Sequence, residues 1–459
     1  MPVRLILSFY LLIHALNLHA SPPQETPDGW YRQGENSLQV ALDQKPVTGA
    51  ARNVILFLGD GMGVTTVTAA RILAGQMQGD TGEGHLLEFE RFHHVALIKT
   101  YTTNQQVADS AGTMSAIMTG IKTLDGVLSV DQDIVRGDCA SARGHERPTL
   151  LEQFEESGRA TGIISTARIT HATPAATYAH LPERDWESDA NLPAAAARAG
   201  CRDIARQLVE FDRGDGIDVV FGGGRAAFLP ESAPDPEYPA EHGQRRDGRN
   251  LIKEWQRRHP AGQFIWNGAD FAALNPLNAT QVMGLFQPSH MQFAADRARD
   301  PGTEPALAEL TATAIRVLAR NPNGFFLMVE GGRIDHALHA TNAWRALTDT
   351  AALSEAVATA MELTRPEDTL IVVTADHSHV LTMTGYPTRG NPILGKVVEN
   401  DAAGRPGPAP ALADDGLPYT TLGFANGPGA RAPRRDLRNT DTTAADFVQD
   451  AMVPMQAEP

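Results

Sequence analysis

Three short apolar runs in this chain each end on a carboxylate, and two of them add histidines within a few residues. Asn53-Val-Ile-Leu-Phe-Leu58 leads into Gly59-Asp60-Gly61-Met62-Gly63. Phe325-Phe-Leu-Met-Val329 leads into Glu330, with Asp335, His336 and His339 close behind. Leu370-Ile-Val-Val-Thr374 leads into Ala375-Asp376-His377-Ser378-His379. Apolar runs of this length read as buried parallel strands, and ligands of open α/β sheets collect just past the carboxyl ends of such strands. Three strand ends are therefore expected to deliver oxygen and imidazole ligands to one place, the pattern of a metal-dependent enzyme.

The chain has 459 residues, long enough for one large α/β domain or two ordinary ones. A formal charge of −16 argues against nucleic acid or an anionic membrane as the main partner. An enzyme of this charge acting on anions needs its positive potential concentrated locally, most economically as bound metal ions. Residues 1–20 read as a signal peptide: Arg4 gives a small positive start, Leu5–Leu18 an apolar stretch, and Leu18-His19-Ala20 an imperfect cleavage site. The stretch is short for a membrane span, and no other segment approaches eighteen consecutive apolar residues. The expected product is exported, periplasmic or secreted, with no stable membrane insertion once the signal is removed. Export permits a disulfide between the two cysteines, Cys139 and Cys201, and two free buried thiols are the alternative.

Residues 21–50, polar and Pro-containing, read as a mobile lead-in. Further strands are expected at Val95–Thr100, Thr161–Thr166 and Ile217–Phe221. Helices are expected at Val64–Leu73, from Asp109 towards Gly120, around Leu192–Phe211, from Pro305 to Arg320 and from Asn342 to Thr364. Residues 230–250 form a long excursion, and residues 385–418, rich in Pro, Gly and Ala, read as a surface insertion. With no internal repeat and no domain linker, residues 21–459 are expected to form a single domain. Alternating strands and helices predict an α/β fold with a large, mostly parallel central β-sheet and helices on both faces.

Ser110 stands at the expected N-terminus of a helix of small residues, where N–H groups and the helix dipole favour an anion on the serine oxygen. Taken alone, Asp109-Ser110 is more often simply a helix cap. No Gly-x-Ser-x-Gly elbow surrounds it. The segment Val107-Ala-Asp109-Ser110-Ala-Gly-Thr113 resembles the phosphoserine signature of the alkaline phosphatases. The likeness extends through Leu58–Gly63, His171-Ala-Thr-Pro174, Tyr178-Ala-His180, Trp186–Ala190, Val219–Arg225, Gly284–Phe286, Val329–His339 and Thr374–Val380. It is closer to the animal-type branch, because His171 and His336 stand where the enteric bacterial branch carries other residues.

That resemblance implies an alkaline-phosphatase-like fold and hydrolysis of small phosphate monoesters through a covalent phosphoserine, at two zinc ions and one magnesium ion. Asp60, Ser110, Asp376 and His377 would hold one zinc, and Asp335 and His339, four apart on a helical turn, the second. Asp60, His171, Thr173 and Glu330 would hold the third ion; their mostly oxygen donors suit magnesium, though His171 leaves room for zinc. Arg184 matches the family's phosphate-clamping arginine, a role that suits a bidentate guanidinium. His336 is expected beside the phosphate or the magnesium, and His379 is as well explained by packing as by function. The resemblance also implies a Cys139–Cys201 disulfide and a homodimer. A calcium pattern of some relatives is partly kept at Glu237, Phe286 and Glu304, but Gln287 replaces an expected carboxylate, so no calcium site is expected.

The resemblance places a further zinc-ligand histidine, a strand and a closing helix after a Val-Pro-like segment, and Val453-Pro454 is followed here by five residues. Two readings follow: an active phosphomonoesterase, or a relative that binds metal and phosphate with impaired turnover and an uncovered sheet edge. A phosphodiesterase or sulfatase of the same superfamily is a weaker third, since Ser110 lacks a sulfatase context and a diesterase would lack the Arg184 clamp.

Overall fold

A computed structural model describes residues 26–45 and 47–454; the expected signal peptide lies outside them. The central sheet has seven strands: β1 (Asn53–Gly59), β2 (Ala160–Arg168), β3 (Val219–Gly223), β4 (Gln263–Ile265), β5 (Val282–Leu285), β6 (Phe325–Gly331) and β7 (Thr369–Ala375). Their order is β4-β5-β3-β2-β6-β1-β7, and every pairing is parallel.

The two-residue period of a strand explains why these runs are continuously apolar rather than alternating. Ile55 and Phe57 enter one core, with Ile164, Val219, Phe221, Phe325, Leu327 and Val329. Leu56 and Leu58 enter the other, with Ile163, Val220, Phe326 and Met328. The first core is closed by the helices Val64–Met77, Leu307–Leu318 and Ala343–Leu363, through side chains such as Ile72, Leu310 and Leu353. The second is closed by Ser110–Thr119, Leu150–Glu156, Ile204–Val209 and Leu251–Arg258, through Met114, Leu151, Leu208 and Trp255. Each large side chain buried this way contributes about 1.5–3 kcal/mol. Helices thus cover both faces, as the sequence predicts.

Register then places the chemistry. Gly59 pairs with Gly331 on one side and Ala375 on the other. Asp60 and Asp376 consequently emerge at one level past the carboxyl ends of β1 and β7, while Glu330, paired with Leu58, stands two residues lower on the adjacent β6. β7 stands at an end of the sheet, with Leu370 50% and Val372 38% exposed. A second, three-stranded sheet joins β8 (Leu381–Met383), β9 (Leu422–Asn426) and β10 (Ala451–Val453) in the order β10-β9-β8. Between β8 and β9, residues 385–418 carry isolated bridges, among them Pro387 with Glu399 and Leu412 with Pro418.

Three expectations need correction. Val95–Thr100 forms no strand; Val95 is 94% and Leu97 93% exposed. The lead-in contains a helix, Pro27–Leu42, started by Thr26, whose hydroxyl accepts from Gly29 N, and by proline in the first turn. The expected helix Leu192–Phe211 is two short ones, Ala194–Arg198 and Ile204–Val209, separated by Gly200 at φ 93° and restarted by the Asp203 cap. The chain divides into two compact units at Thr48–Gly49, with the helix Pro27–Leu42 in the first and both sheets in the second. Among the described residues no helix is long and apolar enough to cross a membrane.

Candidate active site

Asp60 leaves β1 fully buried, and the turn that follows keeps it there. Gly61 takes φ 63° and donates its N–H to Asp376 Oδ1 at 3.1 Å. Asp60, Asp376 and His377 offer donor atoms within 4.8 Å of one another. Ser110 Oγ meets the same group, 3.2 Å from Asp60 Oδ1 and 3.2 Å from His377 Nε2. It is the first residue of its helix, as expected, and Asp109 is the cap: Oδ1 accepts from Gly112 N at 3.1 Å. Asp109 Oδ2 accepts from Arg184 Nη1 at 3.1 Å, so the cap also ties the arginine to the serine.

Asp60, His171 and Glu330 form a second close group, sharing Asp60 with the first. Ser165 Oγ donates to Glu330 Oε2, and Thr173, two residues beyond His171, lies fully buried. His171 Nε2 stands 3.3 Å from Arg184 Nη2, while its buried Nδ1 makes no hydrogen bond among the described residues. His171 offers a ring nitrogen within 4.8 Å of carboxylate oxygens of Asp60 and Glu330, an arrangement that a cation completes.

The third group is Asp335, His339 and His379. Asp335 and His339 lie on the helix Arg333–His339, with His339 Nε2 3.4 Å from Asp335 Oδ2. From sequence these two are the only donors expected there. The structure adds His379, whose Nε2 is 3.4 Å from Asp335 Oδ1 and whose ring meets His339 edge-on at 4.4 Å. His379 stands two residues past His377, and only the turn after β7 could show that it swings back to a different group.

The electrostatics agree with cation binding. Burial, then repulsion by Asp376, Asp335 and Glu330, holds the Asp60 carboxyl well above its usual range. Burial pushes Glu330 up to about 8, against the Ser165 hydroxyl and with Asp376 adding to the rise. Burial pulls His377 down, but Asp376 and Asp335 outweigh it and leave it raised. His171 is held well below the imidazole range by burial and then Arg184. His379 is lowered to about 3, by burial and then His339.

His336 packs edge-on to His171 at 5.3 Å and accepts from Arg333 Nη1 at 3.1 Å through Nδ1. His290, which carries no motif signal, packs against His336 with ring centres 4.2 Å apart and planes tilted by 58°. The partial calcium pattern is rearranged: Gln287 Nε2 donates to Glu237 at 3.3 Å and Asp300 at 2.5 Å, while Glu304 accepts from Gln292 N. Cys139 and Cys201 form a disulfide with Cα atoms 5.8 Å apart.

The family model for alkaline phosphatase matches residues 51–459. The chain is 44% identical to the tissue-nonspecific alkaline phosphatase of Gallus gallus over 446 residues, 95% of this chain and 83% of that protein. It is 42% identical to an alkaline phosphatase of Gadus morhua (95% and 91%) and to the human tissue-nonspecific isozyme (95% and 82%). Its fold is similar to that of the Thermus thermophilus alkaline phosphatase, with TM-score 0.60 and 28% identity over 76% of this chain and 64% of that one. The cold-active alkaline phosphatase of a psychrophilic Shewanella gives TM-score 0.55 and 28% identity, over 73% and 71%. The chain belongs to the alkaline phosphatase family.

Proposed function

We propose that Ser110 is the nucleophile of this phosphatase and that the three donor groups hold two zinc ions and one magnesium ion. Hydrolysis of phosphate monoesters follows from family membership, and the family is metal-dependent. The observation that carries the residue assignment is Ser110 Oγ, placed between Asp60 and His377 while Arg184 is fastened to the adjacent Asp109.

One zinc suits Asp60, Ser110, Asp376 and His377, and the other Asp335, His339 and His379. Magnesium suits Asp60, His171, Thr173 and Glu330. When bound, the metal ions would supply Lewis-acid stabilisation of the attacking and leaving oxygens. The Arg184 fork grips two non-bridging phosphate oxygens, and the N–H groups at the start of the Ser110 helix face the same anion. The Ser110 hydroxyl lies 3.2 Å from Asp60 Oδ1, the carboxylate in reach to accept its proton. Attack by Oγ on phosphorus breaks the substrate's P–O ester bond, the leaving oxygen takes up a proton and departs as the alcohol, and phosphate is left on Ser110. Water then cleaves that ester and releases inorganic phosphate. Export to the periplasm or the medium is supported by Arg4 and Leu5–Leu18 and by the disulfide, which persists in oxidising compartments. A homodimer is proposed on the family resemblance alone.

Dialysis against EDTA tests the metal assignment. Activity should fall by about 10³-fold or more, as expected when transition-state charge stabilisation is lost. Zinc plus magnesium should restore it, zinc alone only in part. Full turnover in protein shown to be metal-free would refute the assignment.

A further inference from the structure

The segment 184–187 and the turn 168–171 meet at a carboxylate that none of the donor groups uses. Glu187 accepts from Arg168 Nε at 2.8 Å and Arg168 Nη2 at 2.6 Å, one through each oxygen, and from Thr170 Oγ1 at 2.6 Å. A forked guanidinium–carboxylate pair fixes orientation as well as distance, and this one is largely shielded, with side chains 27% and 18% exposed. Both ends lie close to the site. Thr170 immediately precedes His171, and Glu187 follows Arg184 by three residues. The Arg184 segment is held on its far side by Arg184 N to Gly126 O, Ile204 N to Trp186 O and Ala205 N to Glu187 O. What those bonds leave open is the position of the segment against the His171 turn. The Glu187 contacts span that seam, across which Arg184 Nη2 and His171 Nε2 stand 3.3 Å apart. Arg168 continues the tie: its N–H donates to His290 Nδ1 at 3.1 Å, and the His290 ring packs against His336.

We propose that Glu187 is a positioning residue for phosphate binding: through Arg168 and Thr170 it locks the segment carrying Arg184 to the turn carrying His171. The guanidinium is then pre-set over the anion rather than ordered by it, so binding costs less. The proposal rests on the Arg184 clamp described above and adds the group that holds it in register. Neither Arg168 nor Glu187 touches the substrate in this account.

The test is a double-mutant cycle on the metal-loaded enzyme. Inhibition by inorganic phosphate, KM, kcat, metal content and thermal midpoint are measured for Glu187→Ala, Arg184→Ala and the pair. Displacing a binding group by a fraction of an ångström should raise the phosphate inhibition constant and KM of Glu187→Ala about tenfold, with a smaller change in kcat and unchanged metal content. In the Arg184→Ala background the Glu187 change should have no further effect on phosphate. Glu187→Gln, which keeps the shape and one acceptor oxygen, should recover part of the loss; it also serves if the alanine variant folds poorly. Effects of Glu187 and Arg184 that multiply independently would overturn the proposal, as would a lower thermal midpoint with unchanged phosphate inhibition. If Arg184→Ala alone leaves phosphate inhibition unchanged, the clamp fails, and that result is distinct from failure of Glu187 alone.

Discussion

At Gly61 the backbone takes φ 63°, and a Cβ built there would meet Asp335 Oδ1 at 2.8 Å and the His379 ring at 3.3 Å. The glycine is the spacer between two metal-donor groups, and two separate constraints exclude a side chain. Gly61→Ala adds about 1–2 kcal/mol of backbone strain and displaces Asp335 from His339 and His379. We expect zinc content to fall by one ion per chain; retention of both zinc ions, by elemental analysis, would show that the turn is not the spacer. Arg184→Ala should behave in the opposite way. It removes charged hydrogen bonds worth about 1.5–3 kcal/mol, so phosphate inhibition should weaken roughly tenfold to a hundredfold while metal content stays intact. Equal phosphate inhibition in parent and variant would argue against the clamp.

At the scale of elements, the opposite edge of the sheet makes its own prediction. Glu155, near the end of the helix Leu150–Glu156, is 1% exposed; one oxygen accepts from Thr161 Oγ1, and Asp218 accepts from Thr161 N at 2.9 Å. Burial raises Glu155 to about 8 and Asp218 to about 7. A carboxyl whose folded pKa exceeds its unfolded value binds more protons folded than unfolded, so stability falls as pH rises between the two values. For Glu155 that window runs from 4.5 to about 8, and the loss is complete at the alkaline pH where the enzyme is expected to work. Glu155→Gln should flatten the decline and raise stability above pH 8 by up to about 5 kcal/mol, since the carboxyl is raised from 4.5 to about 8 and each pKa unit is worth about 1.4 kcal/mol. Thermal midpoints from pH 5 to 9 check it; parallel curves would show that Glu155 is not the group whose raised pKa drives the decline. The strands behind this edge were legible because buried parallel strands are apolar throughout and end abruptly. The same rule over-reads Val95–Thr100, whose β-branched Val95, Ile98 and Thr100 satisfy propensity but find no pairing partner. It also misses the break at Gly200, since a helix of alanines looks continuous until a left-handed residue ends it. Asp60, Ser110, Glu330, Asp335, Asp376 and His377 could be read at strand and helix ends or on one helical face. His379, His290 and Glu187 could not, because each reaches the site through a turn whose direction no local pattern encodes.

Across the whole molecule, the strands β1, β6 and β7 and the helix Arg333–His339 bring together Asp60, Glu330, Asp335 and Asp376, all at most 4% exposed, in a chain with formal charge −16. Buried carboxylates this close cost several kcal/mol each unless cations answer them. The raised carboxyls of Asp60 and Glu330 and the stranded His171 nitrogen are what such a site looks like to a protein that expects metal. All of it converges on one oxygen. Acid quenching during turnover of a phosphate-labelled substrate, followed by peptide mapping, asks whether that oxygen carries the phosphoryl group. The account predicts label on the peptide containing Ser110 in the parent, and none in a Ser110→Ala variant that retains its magnesium and at least one zinc. Label on any other residue, or undiminished label in Ser110→Ala, would contradict it.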